Sequence, residues 1–234
     1  MALVQTDGLT KRYKQGDVDV YALRDVSLDF EVGEFSALVG PSGSGKTTLL
    51  NLIGGLDEPT RGKILLDGQD LVGMSERDRS QYRLHKVGFI FQAYNLVPVL
   101  SALENVEFIM VLQGRPQSEY RQRAMDYLAR VGLADLAHRR PKALSGGQQQ
   151  RVAVARALAA GPRLVLADEP TANLDSESAS DLLELMARMN QEDGVTFIFS
   201  THDQRVMAKA RRIITLKDGQ VHDIRSGTEP LHLD

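Results

Sequence analysis

Gly40-Pro41-Ser42-Gly43-Ser44-Gly45-Lys46-Thr47 carries three glycines, a lysine and a threonine within eight residues. It satisfies G-x-x-x-x-G-K-[S/T] at every fixed position, a match expected only ~0.01 times by chance in a chain of this size. The apolar run Phe35-Ser36-Ala37-Leu38-Val39 leads into it, and residues 46–53 behind it read as a helix. That is the strand, loop and helix order of a phosphate cradle. The glycines let the backbone curl so that successive N–H groups converge on phosphate oxygens, and the helix N-terminus adds partial positive charge. Lys46 is expected to neutralise β- and γ-phosphates and Thr47 to ligate Mg²⁺, with Thr48 beside them among the nucleotide-binding residues.

A phosphate cradle needs a carboxylate for its metal, and Leu164-Val165-Leu166-Ala167-Asp168-Glu169 carries two at the end of an apolar strand. Open α/β sheets bind ligands at the carboxyl ends of their strands. Asp168 is therefore placed to hold Mg²⁺ or its water, and Glu169 to polarise the attacking water. Thr196-Phe197-Ile198-Phe199-Ser200 is a third such strand, and Thr201-His202-Asp203 brings an imidazole to the same edge, within reach of a γ-phosphate.

Further out, the pattern is an α/β alternation. Residues 3–9, 18–23 and 27–30 read as short strands separated by Asp/Gly turns, an antiparallel region. Residues 102–137 read as helical with a break at Gly114-Arg115-Pro116, residues 147–160 and 177–190 as helices, and residues 213–216 and 220–224 as a hairpin around Asp218-Gly219. The 234 residues, 42% hydrophobic and 25% charged, are those of an ordinary packed chain. Two lobes around one core are expected. No window supplies the ~20 apolar residues of a membrane span, and the first residues lack a basic and then apolar leader, so neither insertion nor secretion is expected. A net charge of −3 gives no global attraction to nucleic acid, and zero cysteines leave the chemistry to oxygen, nitrogen and phosphate-binding groups in a reducing cytoplasm. His138-Arg139-Arg140-Pro141-Lys142 has no interleaved aromatics and reads as a solvated face, while Met186 and Met189 read as core.

Leu144-Ser145-Gly146-Gly147-Gln148, directly before a helix, is a second anion site at a helix N-terminus. One nucleotide has no evident need of two cradles on different lobes. A two-fold dimer resolves this, each ATP lying between Lys46's loop of one copy and Ser145-Gly146-Gly147 of the other. With the cradle, this pentapeptide, Asp168-Glu169 and His202 in this order and spacing, the sequence resembles the ATP-binding cassette (ABC) ATPase family over residues 3–224.

The resemblance implies an α/β fold: a P-loop NTPase (RecA-like) core with an N-terminal antiparallel β region and an inserted helical subdomain carrying the signature pentapeptide. The implied division is one domain over 1–225, its core lobe 1–91 and 160–225, its helical lobe and signature helix 92–159, and a tail over 226–234. It also implies ATP and Mg²⁺ as bound groups, with ATP hydrolysis as the reaction. By the same resemblance Tyr13 stacks on adenine, and Gln92 in Gly88-Phe89-Ile90-Phe91-Gln92 touches Mg²⁺ and the attacking water while joining the lobes. Asn173-Leu174-Asp175 resembles the loop that crosses the dimer interface, Asp175 contributing to both sites. Catalysis is thus expected of Glu169, His202, Gln92 and Lys46; metal ligation of Thr47, Gln92 and Asp168; nucleotide contact of Tyr13, the loop from Gly40 to Thr48, Gln92, Ser145 to Gln148, and Asp175.

Ala93-Tyr94-Asn95-Leu96-Val97-Pro98-Val99-Leu100-Ser101-Ala102-Leu103-Glu104-Asn105-Val106, with Tyr21-Ala22-Leu23-Arg24, Leu56-Asp57-Glu58-Pro59-Thr60 and Gln148-Gln149-Gln150-Arg151, is similar to the LolD/MacB-type branch, which serves lipoprotein release and efflux of macrolides or peptides. That implies an ATP-dependent homodimer that drives transmembrane permease subunits on a separate chain. The docking surface is expected at Tyr94, Leu96 and Val97, exposed together if the segment leaves the core. The subunit would lie in the cytoplasm, peripheral on the inner face of the inner membrane. The alternative, a soluble ABC ATPase acting on nucleic acid or the ribosome, would resemble two fused cassettes or a cassette split by a coiled coil, for which 234 residues leave no room. A non-catalytic scaffold is disfavoured by Lys46, Asp168, Glu169 and His202.

Overall fold

Two sheets organise the chain, and the second presents the cradle. The computed structural model describes residues 2–16 and 18–226. In chain order the elements are β1 (Ala2–Gln15), β2 (Val18–Glu31), β3 (Phe35–Val39), α1 (Lys46–Ile53), β4 (Arg61–Leu66), β5 (Gln69–Asp70), α2 (Glu76–Lys86) and β6 (Val87–Phe91). Then follow α3 (Ala102–Leu112), α4 (Gln117–Arg130), α5 (Gly146–Ala159), β7 (Leu164–Asp168), α6 (Ser176–Asp193), β8 (Thr196–Ser200), α7 (Gln204–Lys209), β9 (Arg212–Lys217) and β10 (Gln220–Ser226). The antiparallel sheet runs β2-β1-β4-β5, and the six-stranded sheet runs β10-β9-β3-β8-β7-β6, parallel from β9 to β6. Ser226 closes β10, and the rest of the expected tail lies outside the described residues.

The parallel strands are apolar runs because both their faces are covered. Side chains alternate across the sheet. Phe35, Ala37 and Val39 of β3 with Phe197 and Phe199 of β8 enter the interior shared with α3 to α7. Leu38, Ile198, Leu164 and Leu166 enter the other, packed under α1 and the antiparallel sheet. The interior is two apolar clusters with the sheet between them. Phe35 and Phe199, with ring centroids 4.6 Å apart, centre the first. Met186 and Met189 are buried in it, and His138, Arg139 and Arg140 are exposed.

The antiparallel region differs from expectation. Gly8 and Asp25 have φ of +58° and +53°, yet they do not end strands: they sit at register shifts inside two continuous fourteen-residue strands. A bulge absorbs the same left-handed residue types as a turn, so composition alone does not separate the two.

Parallel pairing aligns the carboxyl ends of the strands. Phe91 lies opposite Asp168, Asp168 opposite Ser200, and Ser200 opposite Leu38. The segments that continue from β6, β7, β8 and β3 therefore begin side by side along one edge.

Candidate nucleotide site

Residues 40–48 wrap the N-terminus of α1 and line a cleft of about 600 Å³ with Ala22, Gln92, Glu169, Ala172, Ser200 and His202. Two of the loop's glycines are required by close approach. Gly40 has φ +145° and Gly45 has φ +101°, and a Cβ on either would collide with a backbone carbonyl, that of Leu216 or of Ala22. Lys46 curls back so that Nζ donates to the carbonyls of Gly40 and Pro41 at 2.9 and 3.0 Å, holding its ammonium at the loop. Ser44 Oγ and Ser200 Oγ are buried without a hydrogen-bond partner. Two orphaned hydroxyls at this cradle fit a site built to receive a polar ligand.

Thr47 Oγ1 stands 3.1 Å from both carboxylate oxygens of Asp168. A hydroxyl and a carboxylate meeting at the floor of a phosphate cradle form an all-oxygen donor set, the chemistry of a hard divalent cation such as Mg²⁺. Glu169 follows with φ +47°, its N–H donating to Ser200 O at 2.9 Å. This turn aims the carboxylate back toward β8, where Oε1 lies 2.8 Å from His202 Nδ1. Gln92, exposed just beyond β6, also lines the cleft, and its carbonyl accepts from Asn173 Nδ2 at 2.9 Å.

The other expected residues stand apart from this cleft. Ser145 caps α5 in a reciprocal box: its Oγ accepts from Gln148 N at 3.3 Å, and Gln148 Oε1 accepts from Ser145 N at 3.0 Å. Gly146 sits against the Tyr94 hydroxyl and Gly147 against Ser178. Asp175 caps α6, accepting from the N–H groups of Ser178 and Glu177, and the Ser178 N–H above all holds its carboxyl below the usual range. Within one chain, residues 145–148 and Asp175 do not line the cleft around Lys46.

Tyr13 also lies outside the cleft lining, at the end of β1. Its hydroxyl donates to Asp57 Oδ2 at 2.8 Å, and the Lys11 ammonium sits 4.8 Å from its ring centroid. Burial and the Asp57 carboxylate push the phenol up, while hydrogen bonds from Lys11 and Tyr13 outweigh burial and hold Asp57 down. One ring face thus carries Lys11. Tyr94, Leu96 and Val97 are half-buried, not exposed together, and Leu96 packs on the first apolar cluster.

Gln150 escaped the sequence reading. Fully buried on α5, it donates through Nε2 to Pro170 O at 2.8 Å and, at 3.5 Å, to Phe91 O, bridging the residue after Glu169 and the residue before Gln92. Its spacing from Val154 and Ala157 puts an amide on the buried face of a helix, which was the available signal.

A sequence model of the ABC transporter family matches residues 23–172. The chain belongs to the ABC transporter family. It is 48% identical over 214 residues to an uncharacterized ABC transporter ATP-binding protein of Thermotoga maritima, covering 92% of this chain and 91% of that one. It is 47% identical to the macrolide export ATP-binding/permease protein MacB of Syntrophobacter fumaroxidans, covering 94% of this chain and 31% of MacB, so it spans about a third of that relative. Among solved structures, the dimeric ATP-binding cassette MJ0796 of Methanocaldococcus jannaschii, in a post-hydrolysis state bound to ADP and Pi, superposes with a TM-score of 0.89 at 43% identity, covering 97% of this chain and 99% of that one. The P-loop NTPase fold and the role of ATP-binding subunit of an ABC transporter follow, and the likeness to MacB agrees with the branch read from residues 93–106 together with residues 21–24, 56–60 and 148–151.

Proposed function

We propose that this cassette hydrolyses ATP in a cleft completed by a second copy of itself, and so drives a membrane permease on a separate chain. The observation that carries the reading is the convergence, on one sheet edge, of Lys46 on the cradle, Thr47 against Asp168, and Glu169 against His202. Lys46 and the backbone N–H groups of the loop bind and orient the triphosphate. Mg²⁺, held by Thr47 and Asp168 with Gln92, would neutralise phosphate charge. Glu169 takes the proton of the attacking water, His202 holds that carboxylate in place, and Gln92 orients the water. Tyr13 receives the adenine on the ring face away from Lys11.

Residues 145–148 form an anion-binding helix N-terminus that its own cleft does not use. A two-fold partner brings it to the other copy's ATP, with Asp175 at the interface. The dimeric state of MJ0796 supports this arrangement.

For the permease, an apolar groove of about 400 Å³ lies between α2, β6 and α3, lined by Leu56, Phe89, Val97, Phe108 and Ile109 among others. Leu56 and Phe108 are exposed in it. No helix among the described residues is long and apolar enough to cross a membrane. The subunit sits on the inner face of the inner membrane through its partner, in a lipoprotein-releasing or MacB-like efflux system. The test is phosphate release by the purified chain: Mg-ATP turnover that Glu169→Gln abolishes supports the reading, and turnover that survives it does not.

A further inference from the structure

Arg156 is a half-buried cation on α5 that the reaction above leaves unused. No carboxylate among the described residues pairs with it, and burial pushes its guanidinium below the usual arginine range. Its hydrogen bonds go to backbone: Nη1 donates to Asn95 O at 2.6 Å and Nη2 to Tyr94 O at 2.9 Å. Those two residues have φ of +51° and +50°, consecutive left-handed conformations that a tyrosine adopts only when its surroundings impose it. The planar guanidinium fork suits two neighbouring carbonyls, and a lysine ammonium cannot reproduce it.

A second clamp follows from α3. Asn105, fully buried, accepts from Val97 N at 2.8 Å and donates to the carbonyls of Val97, Leu100 and Ser101 at 3.2, 3.1 and 2.9 Å. Residues 94–101 are thereby bonded to both helices that flank them. On the other side Phe91 belongs to β6, in register with Asp168. Gln92 and Ala93, both exposed, join the piece fixed to the sheet to the piece fixed to the helices; Tyr94 N–H reaches across them to Phe91 O at 3.3 Å, and Gln92 O accepts from Asn173 Nδ2 at 2.9 Å.

We infer that Arg156 is a positioning residue for Gln92: by tying Tyr94 and Asn95 to α5, it makes the segment after Gln92 a rigid part of the helical lobe and leaves Gln92-Ala93 as the hinge. α5 begins with the Ser145 cradle, so displacement of that cradle is passed through Arg156 to Gln92. The inference rests on the role proposed for Gln92, but the tether itself is a property of the chain without nucleotide.

The experiment uses the full chain with Arg156→Lys, and Arg156→Gln as a second variant should the first melt early. Hydrogen exchange without nucleotide should accelerate about tenfold at residues 94–96, which Asn105 does not hold, and stay unchanged in β6 and α5. Steady-state ATPase should show kcat lowered about tenfold with KM within twofold. Adding Asn95→Gly separates positioning from relief of strain, because glycine accepts φ +50° freely. Positioning requires kcat to stay low in the double variant. Unchanged exchange at 94–96, an unchanged kcat, or recovery of kcat by Asn95→Gly would each overturn the inference. A parent chain without any ATPase would overturn the proposed function, and the exchange measurement would still decide the tether.

Discussion

His202 Nδ1 stands 2.8 Å from Glu169 Oε1, and the Glu169 N–H is bonded to Ser200 O two residues before that histidine. Carboxylate and imidazole are therefore set by the same pair of neighbouring strands. The Glu169 side chain is mostly buried, 19% exposed, and His202 is 75% exposed at the mouth of the cleft. Glu169→Gln keeps the shape and removes the proton acceptor. Turnover should fall by about 10²-fold or more with ATP still bound, as read by phosphate release and nucleotide titration side by side. His202→Ala should lower kcat while leaving ATP affinity within a few-fold, because it removes the partner that orients Glu169.

Lys46→Ala acts on binding instead. It deletes the ammonium from the cradle and its bonds to the carbonyls of Gly40 and Pro41, the latter keeping the Ser44 N–H at 3.2 Å. Charged hydrogen bonds of this kind are worth about 1.5–3 kcal/mol, so ATP affinity measured by calorimetry should fall roughly 10- to 100-fold. The thermal midpoint should stay close to that of the parent.

Gln150→Leu tests the buried amide. It fits the volume but strips Pro170 O of its donor and removes the 3.5 Å bond to Phe91 O, which keeps the Tyr94 N–H at 3.3 Å. Chemical denaturation should report a loss of about 1–3 kcal/mol. Removing an acceptor, Oε1, that had no partner limits the damage. kcat should fall too, since the freed carbonyl of Pro170 adjoins Glu169, proposed to act on the attacking water.

The legible parts of the fold were those that physics writes locally. β3, β7 and β8 are apolar runs because both faces are buried, and the Gly40 to Thr47 loop has a spelling dictated by backbone approach to phosphate. Silent parts have equally specific reasons. α2 buries only Arg79 and so carries no apolar stripe. β5 is two exposed residues, and β4 is short, only Ile64 and Leu66 of its six residues being buried. Gly8 and Asp25 look like turns and are bulges. In the site, Lys46, Thr47, Asp168, Glu169 and His202 are marked by motif and strand end. Arg156 and Gln150 act through backbone carbonyls of distant segments, and Asn105 through the irregular turn just before its own helix; such contacts leave no regular spacing in the sequence.

Asp203 gives a pH prediction. Burial raises its carboxyl, but hydrogen bonds from Arg205 and from Thr171 Oγ1, the latter at 2.8 Å, outweigh burial and hold it below the usual range. A depressed folded value means stability present above the unfolded pKa, about 3.9, and lost as pH falls through the folded one. Asp203→Asn keeps a capping side chain on α7 and removes the charge. Urea denaturation should show the variant about 1–2 kcal/mol less stable at pH 7, with the gap closing below about pH 4. A gap independent of pH would assign the effect to packing.

In the proposed dimer two chains share each ATP, Lys46 on one and Ser145 on the other. Light scattering on purified Glu169→Gln reads that assembly, because a variant that binds ATP without hydrolysing it holds the closed pair. With saturating Mg-ATP the mass should be twice that of one chain, and Ser145→Arg added to Glu169→Gln should return it to one while nucleotide still binds. A Glu169→Gln chain that binds Mg-ATP and stays at the mass of one chain would contradict the account.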